Sequence, residues 1–284
     1  MKELPKKYFD KMKSIEENLI TFLEKQDKFD DNFNFFNDYI KISKNKYEMK
    51  SFLYLINALS NYHYRFDNFF TKIEQILTIF KDKLQNNFTS FEIFHIFQNS
   101  KRLLLYFFQS GVIIPNQSIF DILSRPKYKN RQYLAYFYPE FENYLSEEEK
   151  KTIQNQVIEI KEKKFDEFNS KRKEGENDSY ISHLIRNDLV IDFITYLERK
   201  NISSASTINQ SIYETNLYLI NKNPSLIEYS AFFGSIQIFT YLNHKNSPIK
   251  STIWPYAIHG KNPEIIHFLE ENKIEPISNT YQYL

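Results

Sequence analysis

The stretch Ser225–Leu242, SLIEYSAFFGSIQIFTYL, recurs in outline at Thr252–Leu269, TIWPYAIHGKNPEIIHFL, 27 positions later. A fixed-offset echo of this kind is typical of stacked supersecondary units, which are stabilised by contacts between neighbours. The stretch therefore predicts a helical-repeat architecture. In this register six positions are expected to be buried between neighbouring helix pairs: Ala231, Ile238, Leu242, Ala257, Ile265 and Leu269.

The composition of the chain agrees with a helical fold. Its 284 residues are 42% hydrophobic and 26% charged, which is typical of globular proteins. Only four glycines and nine prolines are present, too few for the many tight turns of an all-β fold. We therefore expect an all-α protein whose helices are joined by short polar corners.

Charge and cysteine content restrict the possible partners. The formal net charge is only +1, so no overall field attracts nucleic acid or an anionic membrane. The absence of cysteine excludes disulfides, thiolate metal sites and cysteine nucleophiles, and it favours a reducing compartment. No apolar run approaches the length of a membrane span, and no apolar segment follows the charged N-terminus. We expect a cytoplasmic protein without membrane contact, with the nucleus left open.

The whole chain divides into two regions. Residues 1–88 contain four runs with helical apolar spacing and form either a cap or an independent helical domain, with a capping box predicted at Ser14–Glu17. Residues 89–284 contain poorer copies of the repeat. The polar corner at 171–178 is a candidate hinge, and a loop at 201–211 followed by a helix at 212–220 leads into the echo.

The echo resembles a known family. Ala231–Leu242, AFFGSIQIFTYL, is similar to the ankyrin pattern A-x-x-G-N-x-E-I-V-K-x-L, and parts of that pattern recur at Asn262–Leu269 and Gln98–Ile113. The whole chain resembles the divergent, lineage-expanded ankyrin proteins of some protists, in which a helical region precedes degenerate repeats. The resemblance implies an ankyrin-like α-solenoid over residues 89–284. It also implies a non-enzymatic interaction module or scaffold.

The chain departs from the ankyrin pattern at two places. The T-P-L-H tetrapeptide is absent, although Ser225 and Thr252 keep hydroxyls that can cap a helix, and Ser225 is followed by Glu228 in a capping box. Lys261 stands where the pattern has glycine, so we expect its turn to differ from the turn at Gly234.

Motifs that carry chemistry are missing from the sequence. The four glycines do not form a phosphate-binding loop, and the closest histidine pair, His259 and His267, falls on successive helices. The basic run between Lys161 and Lys173 is interleaved with acidic residues, which favours a charge-balanced exposed helix over a phosphate-binding surface. We expect no catalytic residues, no cofactor and no metal.

Two classes of function stay open. The favoured one is binding of another, unidentified protein through the concave face of the repeats; the alternative is an enzyme or nucleic-acid binder whose site is assembled from scattered residues. In the ankyrin register the two residues before the glycine face the groove. The partner-binding candidates at these places are Phe232, Phe233, Gln98, Asn99, Arg186, Asn187 and His259. An alternative reading buries one of the two phenylalanines in the array. The oligomeric state stays open.

Overall fold

The computed structural model of the protein describes residues 6–24, 34–36, 38, 45–62, 68–129, 132–153 and 165–277. Contacts divide the chain into two compact units, residues 1–164 and residues 165–284. The described residues contain no β-strand and a single isolated bridge, between Thr207 and Ser225. The all-helical prediction is therefore confirmed for this part of the chain.

The first unit is built from helices whose apolar faces meet in an aromatic core. The helices are α1 (Lys6–Glu24), α2 (Lys46–Tyr62), α3 (Phe69–Asn87), α4 (Ser90–Phe97), α5 (Lys101–Gln109), α6 (Gln117–Leu123), α7 (Pro126–Lys129), α8 (Tyr133–Tyr136) and α9 (Tyr138–Phe141), followed by a 3₁₀ turn (Glu142–Tyr144) and helical residues 147–153. α1 packs against α3, α2 packs against α3 and α4, and α4 packs against α5. The rings of Phe52 and Phe80 stack at 4.8 Å between centroids.

The capping box predicted at Ser14 is wrong. α1 begins at Lys6, so Ser14 lies inside the helix, where its carbonyl oxygen accepts a bond from the Asn18 amide. The apolar spacing that begins near Ser14 continues a helix instead of starting one. A capping box that was not predicted from the sequence lies at Thr89 and Glu92. The Thr89 side chain accepts the backbone N–H of Glu92, and the Glu92 side chain accepts the backbone N–H of Thr89.

The described part of the second unit, residues 165–277, forms three helix hairpins and one preceding helix. Consecutive hairpins stack in order, first helix on first helix and second helix on second helix. The preceding helix is α10 (Phe165–Glu174). The first hairpin consists of α11 (Tyr180–Arg186) and α12 (Val190–Lys200), and the second of α13 (Leu226–Phe233) and α14 (Ile236–His244). The third consists of α15 (Trp254–Gly260) and α16 (Pro263–Glu271), with a 3₁₀ turn at Ser251–Ile253 before it. All six residues predicted to lie between helix pairs are buried, so the prediction of their burial is confirmed.

The turns inside the three hairpins share one backbone conformation. Asp188, Gly234 and Lys261 stand at equivalent places with φ of 49°, 66° and 49°, all left-handed. The prediction that the Lys261 turn would differ is therefore wrong. A residue with a side chain adopts this conformation at a cost of about 1–2 kcal/mol. The Lys261 side chain is exposed, so this turn can accommodate a residue that has a side chain.

Side chains of the turns bond neighbouring hairpins together. The Ser235 hydroxyl donates to the carbonyl oxygen of Ile185, and the Asn262 amide donates to the carbonyl oxygen of Gly234 at 2.9 Å. The carboxylate of Asp188 accepts the backbone N–H groups of Gln237 at 3.0 Å and Ile238 at 2.9 Å. The first hairpin thereby caps the second helix of the hairpin that follows it.

We expect Asp188→Asn to lower the free energy of unfolding by about 1 kcal/mol, because Asn tolerates left-handed backbone but replaces a charged acceptor with a neutral one. Urea unfolding followed through Trp254, the only tryptophan, reports on this unit. The control is Asp192→Asn, an exposed acid in the first turn of α12, with an expected change within about 0.5 kcal/mol. Equal losses in the two variants would contradict the cap.

The corner at 171–178 is packed inside the second unit. The carbonyl oxygen of Gly175 accepts both the N–H (3.0 Å) and the hydroxyl (2.7 Å) of Thr215, and the Asn177 amide donates to the carbonyl oxygen of Asn209 at 2.7 Å. The division between the units falls before Phe165, and residues 1–88 share the first unit with residues 89–164. Flexing at the corner stays a prediction. The start of the basic run, Lys161–Lys164, lies outside the described residues.

Candidate partner-binding surface

The seven predicted site residues fall in both compact units. Gln98 and Asn99 belong to the first unit, where both are partly exposed after α4 and the Gln98 side-chain oxygen accepts the hydroxyl of Tyr128 at 2.6 Å. The other five lie in the second unit. Of these, Phe232, Phe233 and His259 are joined by ring contacts, and Arg186 reaches them through Tyr229.

The two phenylalanines before Gly234 face different ways. Phe232 is fully buried, with its ring 5.5 Å from that of His259 and 6.2 Å from that of Tyr256. Phe233 is partly exposed, and its ring lies 4.8 Å from that of Tyr229. Consecutive helical residues point about 100° apart, so one faces α15 and the other the margin of the array. The expectation that both face solvent is wrong, and the alternative of one buried ring is confirmed.

His259 is also covered. Only 8% of this residue is exposed, because the ring of Tyr218 lies 3.8 Å from its ring. Tyr218 belongs to residues 201–224, the covering segment, which connects the first and second hairpins. The ammonium of Lys222 in the same segment lies 5.9 Å from the ring centroids of both Tyr218 and Tyr256. The prediction of a solvent-facing His259 is therefore wrong.

The covering segment is irregular and tightly attached. The helix predicted at 212–220 is absent; this part consists of turns, although Leu219 and Ile220 are buried. The N–H of Ile208 donates to the carbonyl oxygen of Pro224 at 2.8 Å, and the N–H of Leu226 to that of Ser206 at 3.0 Å. We define Phe232, Phe233 and His259, with the contacting tyrosines Tyr229 and Tyr256, as the inner face. This predicted partner-binding surface is thus partly covered by the protein itself, where Tyr218 lies against His259.

Arg186 serves a buried polar network. Its side chain is 8% exposed, and Nε pairs with the carboxylate of Glu176 at 2.6 Å. Nη1 donates to the carbonyl oxygen of Asn177 at 2.7 Å and to the hydroxyl of Tyr229 at 3.4 Å. These contacts join the corner before α11 to α13. A buried, paired arginine of this kind holds structure and is not a solvent-facing anchor.

The tyrosines of the inner face stay protonated at neutral pH. Burial raises the pKa of Tyr229 far above its ordinary value, and the carboxylate of Glu214 acts in the same direction. Burial likewise raises the pKa of Tyr256 to about 12. Both phenols are therefore unsuited to proton transfer near neutral pH.

Asn187 is exposed on the first hairpin, beside three further residues that are not covered by the array. Its amide donates to the carbonyl oxygen of His183 at 2.9 Å. His183 is exposed, and Tyr180 and Leu189 keep 54% and 39% of their surface exposed. We define Tyr180, His183 and Leu189 as the outer face. Asn187, which lies beside the outer face, was predicted from the sequence, whereas Tyr180, His183 and Leu189 were not. The helical spacing of Tyr180, His183 and Asn187 was the available signal.

The described residues offer little for other kinds of site. None of their helices has both the length and the apolar character needed to cross a bilayer. No group of three or more histidine and carboxylate side chains capable of holding a metal ion occurs among them. Comparison with protein-family models, curated proteins and solved structures finds no match to this chain.

We expect Phe232→Ser to destabilise the second unit by about 3–5 kcal/mol, because it leaves a cavity and buries a hydroxyl. Phe233→Ser, the matched change one residue on, should cost about 1–2 kcal/mol because that ring is already partly hydrated. Urea unfolding followed through Trp254 fluorescence compares the two. A larger loss at Phe233 would contradict the assigned orientation.

Proposed function

We propose that the chain is a non-enzymatic module or scaffold that binds another protein, and that its second unit is a divergent ankyrin-like repeat array. The stacking of the three hairpins in register carries the proposal. Quasi-one-dimensional stacks expose a long surface made of equivalent positions, and such surfaces are used to bind proteins.

The shared turn conformation supports the ankyrin-like assignment. In the family pattern a glycine stands at this turn, and here Asp188, Gly234 and Lys261 occupy it with left-handed backbone. The bonds from Ser235 and Asn262 each join a hairpin to the one before it, as neighbour contacts do in repeat arrays.

The residues in contact with a partner are fewer than the sequence predicted. Phe233 and Asn187 remain accessible on the second unit, and Gln98 and Asn99 on the first. In this proposal the buried residues Phe232, Arg186 and His259 support that surface without touching the partner.

Affinity capture tests the proposal. The full-length tagged chain is isolated from cells that express it, and the molecules retained are compared before and after nuclease treatment. We expect a retained protein that survives the nuclease, and about tenfold weaker capture by Phe233→Ser at a temperature where the variant is folded. Retention of nucleic acid alone, or of nothing, would contradict the proposal.

A further inference from the structure

The second helix of each hairpin begins with an equivalent pair of backbone N–H groups. In α14 these belong to Gln237 and Ile238, and the Asp188 carboxylate of the preceding hairpin accepts both. In α16 they belong to Glu264 and Ile265, 27 positions later, and the side-chain oxygen of Asn262 accepts both at 2.9 Å and 3.4 Å. The second and third hairpins thus satisfy this pair in two different ways.

The first hairpin leaves the same pair open. The first hairpin aligns with the second at an offset of 46 positions, which is the distance between their N-caps Ser179 and Ser225. At this offset Gln237 and Ile238 of α14 correspond to Ile191 and Asp192 of α12. The N-cap residue Leu189 gives no side-chain bond. Within the described ranges neither the Ile191 nor the Asp192 N–H donates to any protein acceptor. The pair is placed like that of α14 but lacks the preceding turn that caps it.

The outer face around this pair is buried at the equivalent places of the second hairpin. Tyr180 corresponds to Leu226, and Leu189 to Ser235, both buried. His183 corresponds to Tyr229, which is buried and touches Arg186 of the preceding hairpin at 3.4 Å. His183 and Leu189 therefore lie at places where the second hairpin is in contact with the hairpin before it, through Arg186 and the carbonyl oxygen of Ile185.

One exposed apolar residue does not follow this rule and serves as a control. Ile191 is 78% exposed, but its counterparts Gln237 and Glu264 are also exposed although a hairpin precedes each of them. A docked hairpin would leave the Ile191 side chain in solvent. Its exposure alone is no sign of a binding site.

Charge decides what kind of hairpin fits. The N-terminus of a helix carries partial positive charge and favours an anion. A second copy of this chain, stacked end to end, would bring its last turn residue, Lys261, to the α12 amides, and a cation is disfavoured there. A hairpin with an acidic turn residue would repeat the bond that Asp188 makes.

From these observations we infer that the outer face docks a helix hairpin of a partner protein whose turn carries an aspartate or glutamate. The turn carboxylate accepts the Ile191 and Asp192 N–H groups, while the flanking helices cover Tyr180, His183 and Leu189. This inference rests on the proposed function and identifies a surface at the end of the array, distinct from its inner face. The exposed Asp192 carboxylate weakens the contact by repulsion.

Photo-crosslinking in the full-length chain tests the inference. Benzoylphenylalanine is placed singly at Tyr180, at Ile191 as the control on the same hairpin, and at Phe233 on the inner-face margin. We expect a crosslink from Tyr180 to a helix hairpin with an acidic turn, identified by mass spectrometry. A crosslink to a second copy, to an extended or basic segment, or none beyond that of Ile191, overturns the inference.

Binding of the identified hairpin, made as a synthetic peptide, measures the individual contacts. We expect Leu189→Asp to weaken binding at least tenfold and Ile191→Asp to change it less than twofold. Asp192→Asn should strengthen it, and alanine at the peptide's turn acid should weaken it about tenfold. Equal effects of Leu189→Asp and Ile191→Asp overturn the inference. Crosslinks from Phe233 without any from Tyr180 overturn it while leaving the proposed function in place; none from either position contradicts both.

Discussion

Gly260→Ala is expected to destabilise the second unit by about 3 kcal/mol or more, the upper range for overpacked cores. A Cβ at position 260 would lie 2.0 Å from the carbonyl oxygen of Ala231 and 3.3 Å from the backbone nitrogen of Gly234. Both neighbours are backbone atoms, so α15 has to move away from α13. Alanine favours helix over glycine by only about 1 kcal/mol, which does not offset this loss.

Gly111→Ala is the matched control, with unfolding of both variants followed by circular dichroism in urea. Gly111 has a left-handed φ of 72°, but a Cβ there meets nothing within 4 Å. Only backbone strain of about 1 kcal/mol is expected. If the Gly260 variant lost no more stability than the Gly111 variant, α13 and α15 would not approach as closely as described.

Ala231→Arg is expected to cost about 3–5 kcal/mol, because it places an unpaired charge in a buried position. Ala231 has no exposed surface, and the space next to its carbonyl oxygen is filled by Gly260. The loss is measured from the midpoint of urea unfolding reported by Trp254. Ala205→Arg, the same change at an exposed position of the covering segment, should stay within about 0.5 kcal/mol. An unchanged midpoint for Ala231→Arg would disprove the buried register.

The sequence predicted the core of the echoed hairpins well because burial follows directly from the repeat. Ile238 and Ile265 occupy equivalent places, and a helix can bury only one face against its neighbour. Caps were predicted where a hydroxyl residue precedes Glu by three positions at the true start of a helix, as at Ser225. The same pattern at Ser14 failed, because local spacing does not tell a start from an interior turn.

The candidate site could be predicted only in part, since it depends on contacts distant in sequence. The covering segment has no periodic pattern, so nothing local indicated that Tyr218 would lie against His259. Backbone conformation was equally hidden at Lys261, which ends α15 with a left-handed φ although residues with a side chain rarely adopt that conformation. The helical spacing of Tyr180 and His183 indicates that they share one side of α11, but it does not tell whether a neighbouring hairpin covers that side.

The bond from Asp188 to α14 gives the array a direction. The Gln237 and Ile238 amides depend on an acceptor in the hairpin before them, whereas those of Glu264 and Ile265 depend on Asn262 of their own hairpin. Fluctuations that open the first hairpin therefore expose the start of α14 to solvent hydrogen exchange, and the start of α16 is insulated from them. Local opening of the first hairpin is therefore transmitted through the Asp188 bond to the start of α14.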